Sequence, residues 1–274
     1  ARKVHPEVPV ILGGIYARLC EGHAIRYSGA DTVVSEQGIP GITEVLKKHG
    51  IAIPDENPDS ALPDYPAFDL LTKIHYICLM TSTGCPFQCH YCASHFLFPR
   101  FFQRDPGEVL EEIIFWHTKW GIRDFAFYDD ALLVSSDTHM GVLLESIARL
   151  DFPIRFHTPN AIHVREITKP MAKLLHRAGF QTIRLGLEAS DNAIRWDLDD
   201  KLSKGDFAHA MDYLRNAGFD SRQIGAYIMM GLPGQSPDDV AETIRHADRC
   251  GSIPYLSEYS PIPHTRLWEK AVAG

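Results

Sequence analysis

The sequence predicts an α/β protein built on a parallel sheet, and three observations carry that prediction. From about residue 76 onward, six short apolar segments alternate with stretches whose apolar residues recur at spacings of three and four. Capping residues stand where those stretches begin, and glycines stand where they end. Strands that alternate with helices pair in parallel through right-handed crossovers.

The strand candidates are Tyr76 to Thr81, Phe125 to Tyr128, Ile154 to His157, Thr182 to Leu187, Ile224 to Met230 and Tyr255 to Tyr259. Val109, Ile113 and Trp116 mark the apolar face of one helix, and Met171, Leu174 and Leu175 that of another. Asp105-Pro106-Gly107-Glu108 and Ser236-Pro237-Asp238-Asp239 each set a capping side chain before a proline, with a carboxylate three residues after the cap. Ser203 with Asp206 repeats the cap and the acid without proline. Gly179 and Gly218 stand where a left-handed residue closes a helix. Six β/α steps are too few for a closed eight-stranded barrel.

The N-terminal stretch differs in character. Val8 to Leu12 is strand-like, Gly13-Gly14 follows, and Ala30 to Gly38 and a helical Thr43 to Lys48 complete what reads as the last strands and helix of a Rossmann-like α/β unit. The chain opens at Ala1 rather than at methionine, so it is expected to begin inside a domain. A linker rich in proline and aspartate runs from Pro54 to Pro66. The expected organisation is a domain remnant over 1–53, a linker over 54–70 and the main α/β domain over 71–274.

With 45% hydrophobic and 23% charged residues among 274, the chain has the composition of a folded domain. Its formal charge of −8 is the wrong sign for a protein that wraps nucleic acid, so no nucleic-acid partner is expected. No apolar run approaches the roughly 20 residues that cross a bilayer, and the N-terminus lacks a signal-peptide pattern. A cytoplasmic protein without a membrane partner is expected.

Of six cysteines, Cys85, Cys89 and Cys92 crowd into one stretch, whereas Cys20, Cys78 and Cys250 are scattered and read as core thiols. A disulfide framework belongs to small secreted chains, so the three clustered thiols suggest a metal. Structural zinc takes four ligands, and His90 or His95 could supply the fourth. A 4Fe-4S cube normally takes four thiolates, so three leave one iron open to a substrate or cofactor.

The Cys85-x-x-x-Cys89-x-Tyr91-Cys92 spacing, behind an apolar strand, resembles the signature of the radical S-adenosylmethionine (radical SAM) superfamily. The resemblance runs from about Tyr76 to Trp268 and implies a partial (β/α)6 TIM-like barrel. It implies that Cys85, Cys89 and Cys92 ligate three irons of an oxygen-sensitive 4Fe-4S cluster and that S-adenosylmethionine (SAM) binds the fourth. Tyr91 is then placed against the adenine. Glu188 and Ser190, in Gly186-Leu187-Glu188-Ala189-Ser190, are similar to the family's Gly-x-Glu-Ser segment, with Ala189 as a departure. Asp130 is favoured over Asp129 for the amino group of the methionine moiety, because adjacent residues on a strand face opposite sides. Asn160 is preferred to His157 as a cofactor or substrate contact, and Met229 and Gly231 resemble the apolar wall and turn under the adenine. Relatives carry glycine where His264 stands, which makes His264 a candidate substrate contact.

The N-terminal stretch resembles the end of the cobalamin-binding domain that precedes the barrel in one branch of the family. The Asp-x-His-x-x-Gly motif of that domain is absent from these residues, so cobalamin either depends on a missing piece or has been lost. The implied activity is reductive cleavage of SAM to methionine and a 5'-deoxyadenosyl radical that modifies an unidentified substrate. Flavodoxin or ferredoxin would supply the electron. Members of this branch methylate carbon or phosphorus, and others cyclise or rearrange. Two other readings stay open on the cysteines: a zinc-stabilised α/β binding module without catalysis, and an iron-sulfur electron carrier with His90 or His95 as fourth ligand.

Overall fold

The structure, a computed structural model, describes residues 3–36, 39–52, 65–190 and 205–273. At the N-terminus β1 (Ile11–Leu12) pairs in parallel with β2 (Thr32–Val33). Helices α1 (Ile15–Leu19) and α2 (Glu21–Tyr27) lie between them, and α3 (Ile39–Lys48) follows. Only Ile11 and Leu12 of the strand-like Val8 to Leu12 pair, and the third helix starts before the expected Thr43.

The main sheet has six parallel strands. After β3 (Ile77–Leu79), a short antiparallel pair is formed by β4 (Ser82–Thr83) and β5 (Phe102–Gln103), with α4 (Ser94–Leu97) between them. Then come α5 (Pro106–Trp120), β6 (Asp124–Phe127), α6 (Met140–Ile147), β7 (Arg155–His157), α7 (Lys169–Arg177) and β8 (Phe180–Glu188). The described chain resumes with α8 (Asp206–Ala217), β9 (Ile224–Met230), α9 (Pro237–Arg249), β10 (Ile253–Glu258) and α10 (Arg266–Ala273). The strands lie in the order β10-β9-β8-β7-β6-β3, the order of the chain.

That order decides the shape. A sheet whose strands follow chain order through crossovers of one hand carries its helices on one face and curls as a barrel does. Consecutive helices α5, α6, α7 and α8 pack on one another, as a single helical layer requires. Among the described residues no hydrogen bonding links β10 to β3.

Burial alternates accordingly. On β8, Ile183, Leu185 and Leu187 are buried, while Thr182, Arg184, Gly186 and Glu188 are half-buried and line the inner face. On β9, Ile224, Ala226 and Ile228 are buried, and Tyr227 and Met229 share the inner face. Val109, Ile113 and Trp116 of α5 and Met171 and Leu175 of α7 are buried, as their spacing predicts, with Leu174 at the margin. Phe127, Phe156 and Phe180, from three neighbouring strands, stack with ring centroids 5.3–5.8 Å apart.

The caps form as the sequence indicates. Asp105 accepts from the N–H groups of Gly107 and Glu108, and Ser236 with Asp239 closes a reciprocal capping box. Gly179 and Gly218 take positive φ at the ends of α7 and α8. Ser203 lies outside the described residues, and Gly205 precedes α8. Most of the expected linker, including Pro54, also lies outside them. Its end packs on the barrel, where Tyr65 and Phe68 meet the ring of Trp116.

Two of the scattered cysteines depart from expectation, since Cys20 and Cys78 are half-buried rather than core residues, whereas half-buried Cys250 packs against the core. Cys78 points away from Ile77 and Leu79, which face the helical layer, so β3 turns its thiol to the inner side of an edge strand. Among the described residues no helix is long and apolar enough to cross a membrane.

Candidate functional site

The long connection between β4 and β5 carries the thiols of Cys85, Cys89 and Cys92, with Cys89 the most deeply placed at 4% exposure. Gly84 opens this loop with φ of 77°, and a Cβ there would lie 2.8 Å from the Arg100 carbonyl oxygen. The Cys92 N–H donates to the Cys89 carbonyl at 3.1 Å, which turns the loop so that its last two cysteines stand on one bend. The Ser94 N–H donates to Cys92 Sγ at 3.4 Å.

Among the described residues, no three His, Cys, Asp or Glu side chains converge closely enough to hold a single metal ion. One zinc needs all its thiolates about 2.3 Å from a common point, whereas a cube offers a separate iron to each cysteine. The donor set of three thiols on one loop fits a 4Fe-4S cluster with one iron open. His90 is engaged elsewhere: its Nε2 stands 2.8 Å from Arg266 Nη1, and its carbonyl accepts from Leu267 N–H at 3.0 Å, docking the start of α10 on the loop. His95 is exposed on α4.

The C-terminal strand ends face this loop. Glu188, the last residue of β8, holds φ of 61°, a conformation an L-residue adopts at a cost and that clusters at functional positions. Its Oε1 accepts from the Tyr91 hydroxyl at 3.2 Å, which ties the cysteine loop to the fourth sheet strand. A Cβ on Gly186 would fall 2.9 Å from that same Oε1, so glycine there makes room for the carboxylate. Tyr91 and Met229 pack with Tyr259 around buried Ala189, Leu232 and Leu267, forming a small apolar patch beside the loop. Gly231 follows with φ of 84°, and Gln235 clamps its turn by accepting from Leu232 N–H and donating to the Met229 carbonyl.

The paired acids separate as strand alternation requires. Asp130 is exposed and accepts from the Ser94 hydroxyl at 2.5 Å, just past the last cysteine. Asp129 is 2% exposed, and its Oδ1 accepts from Thr81 N–H, Thr81 Oγ1 and Ser82 Oγ at 2.7–2.9 Å. Its Oδ2 is buried with no partner among the described residues. Asn160 reaches the same end of the sheet, its Nδ2 donating to the Tyr128 carbonyl at 2.8 Å.

Three candidates face elsewhere. Ser190 turns to α9, where its N–H and hydroxyl both meet Thr243 Oγ1 at 3.0–3.1 Å, because Ala189 fills the apolar patch. His157 is spent on Asp124 and Thr182, each at 3.1 Å, and Asp124 is held below the usual carboxylate range by its bond to Arg155. His264 does adopt the glycine-like φ, 67°, but its Nε2 stands 3.0 Å from the Leu19 carbonyl oxygen and its ring stacks on Phe96. It joins the N-terminal segment to the loop. Sequence reasoning passed over Thr81, Ser82 and Tyr259, whose roles rest on burial rather than on motif.

Burial raises the Asp129 carboxyl above its ordinary 3.8. A raised folded-state pKa gives stability that is complete at acid pH and is lost as pH rises through the raised value. Asp129→Asn is therefore expected to flatten the fall in melting temperature of the metal-free protein as pH rises above about 4. Thermal melts of both proteins across that range check it, and parallel curves would contradict it.

The model of the radical SAM superfamily matches residues 79–247. An uncharacterized methyltransferase of Pyrococcus horikoshii is 23% identical over 100% of this chain and 65% of its own length. The cobalamin-dependent radical SAM enzyme OxsB, solved with aqua-cobalamin, superposes with a TM-score of 0.65 at 12% identity, covering 96% of this chain and 42% of that one. The radical SAM methyltransferase TsrM of Kitasatospora setae, solved with cobalamin and a [4Fe-4S] cluster, gives 0.61 at 20% identity over 69% of this chain and 38% of that one. The chain thus spans under two thirds of each of these proteins, and the likeness to the solved structures is one of fold.

Proposed function

Because the chain belongs to the radical SAM superfamily, we propose that it binds a 4Fe-4S cluster through Cys85, Cys89 and Cys92 and cleaves SAM, with methyl transfer to an unidentified substrate as the reaction class. The observation that carries this reading is the meeting of Tyr91 with Glu188 beside the three clustered thiols. When bound, the cluster supplies the electron that divides SAM into methionine and a 5'-deoxyadenosyl radical.

The chain's own residues do the positioning. Tyr91 and Met229 offer flat and apolar surface to the adenine, and Gly231 lets the backbone approach it. Glu188 sets a negative charge where ribose hydroxyls and the sulfonium need one. Asp130 and Asn160 would hold the methionine end. Ser190 supports this wall from behind through Thr243. The likeness to methyltransferases favours methyl transfer; the Asp-x-His-x-x-Gly motif is absent from these residues, so cobalamin for that step either depends on a missing piece or has been lost. The cytoplasm, with flavodoxin or ferredoxin as electron donor, suits an oxygen-sensitive cluster.

The test is turnover under anaerobic conditions. Reconstituted protein with dithionite and SAM is expected to release 5'-deoxyadenosine and methionine in equal amounts, measured by liquid chromatography. Intact SAM after many hours, with four irons per chain present, would overturn the cleavage assignment.

A further inference from the structure

We propose that Tyr259 is a cofactor-recognition residue whose hydroxyl donates a hydrogen bond to an acceptor on the adenosine half of SAM; this rests on the cofactor reading above. The hydroxyl is fully buried and has no hydrogen-bond partner among the described residues. Other tyrosines of this face do have partners. Tyr227 donates to the Pro159 carbonyl at 2.8 Å, Tyr255 accepts from Arg184 Nη2 at 3.3 Å, and Tyr91 donates to Glu188. An orphaned buried hydroxyl is unfavourable, and a ligand that supplies the missing partner removes the penalty.

Position identifies the ligand's chemistry. Tyr259 N–H donates to the Met230 carbonyl at 2.9 Å, which continues the register of β10 one step past Glu258. Alternation then puts Tyr259 on the same side as Tyr255, the inner face. There it packs in the apolar patch with Tyr91 and Met229. An apolar wall with one placed donor is how a pocket orients a flat heteroaromatic ligand. A purine carries ring nitrogens that accept from such a phenol, whereas the sulfonium and ammonium of SAM carry no acceptor and its carboxylate is the group that the open iron would take in the cofactor reading. Burial also raises the Tyr259 pKa, which keeps the group a donor at neutral pH.

Tyr259→Phe removes one oxygen and keeps the packing. Equilibrium dialysis of reconstituted protein with SAM is expected to show affinity weakened about fivefold to tenfold in the variant, the yield of one hydrogen bond. In the metal-free protein without SAM, the same variant is expected to melt at or above the wild-type temperature, because the orphan is gone. Equal SAM affinity in the two proteins, or a lower melting temperature in the metal-free variant, would overturn the assignment. Failure of the reconstituted wild-type protein to bind SAM is a different result, which overturns the cofactor reading and this assignment with it.

Discussion

Cys89→Ala is expected to yield a folded, colourless protein that takes up almost no iron on anaerobic reconstitution. Cys89 is the most buried of the three thiols, in the middle of a loop whose bend depends on backbone bonds rather than on its side chain. Alanine keeps the apolar character of the position and removes only the sulfur, so the expected stability change is about 1 kcal/mol. The effect on the cluster is far larger, because two thiolates cannot hold a cube that normally takes four. Cys20→Ala, at a half-buried cysteine on the N-terminal segment, serves as the control and should keep full iron. Iron analysis and the visible spectrum decide the matter. A Cys89→Ala protein that is as brown and as iron-rich as wild type contradicts the ligand assignment.

Gly84→Ala is expected to destabilise the protein more than any other single methyl addition on the cysteine loop. The residue holds φ of 77°, which adds about 1–2 kcal/mol for an L-side chain. Its Cβ would also lie 2.8 Å from the Arg100 oxygen and 3.1 Å from that of Phe98, both backbone atoms. Forcing them apart adds about 1–3 kcal/mol, for a total near 2–5 kcal/mol and a melting temperature lowered by roughly 5–15 °C. Gly50→Ala separates the two contributions, since Gly50 holds φ of 70° with nothing within 4 Å of its Cβ position. Its loss should match the conformational part alone. Urea unfolding of both variants checks this, and equal losses would mean that the loop gives way without strain.

The parts of the molecule legible in the sequence are those set by local chemistry. Six strands in alternation with helices appear where expected, because β-period burial and caps such as Asp105 and Ser236 act within a few residues. The cysteine loop was visible from spacing alone. Strands of two residues, such as Ser82–Thr83 and Phe102–Gln103, carry no period, so the antiparallel pair that holds the loop ends was not visible. The rest of the site depends on long-range meetings. Tyr91 and Glu188 stand 97 residues apart in the chain, and only the folded sheet brings them together. The resemblance placed Ser190 beside Glu188, but one inserted alanine turns it to the opposite side, toward Thr243. For His264 the missing glycine signalled an unusual turn, which is present, while its stacking on Phe96 arises from a neighbour 168 residues earlier in the sequence.

The central claim is a cluster with one iron open to SAM, and low-temperature electron paramagnetic resonance tests it most directly. Protein reconstituted without oxygen and reduced with dithionite is expected to show a reduced 4Fe-4S signal whose g-values shift when SAM is added. A signal indifferent to SAM would mean a fourth ligand from the protein and an electron carrier. No cluster signal, with stoichiometric zinc in the metal analysis, would contradict the account outright.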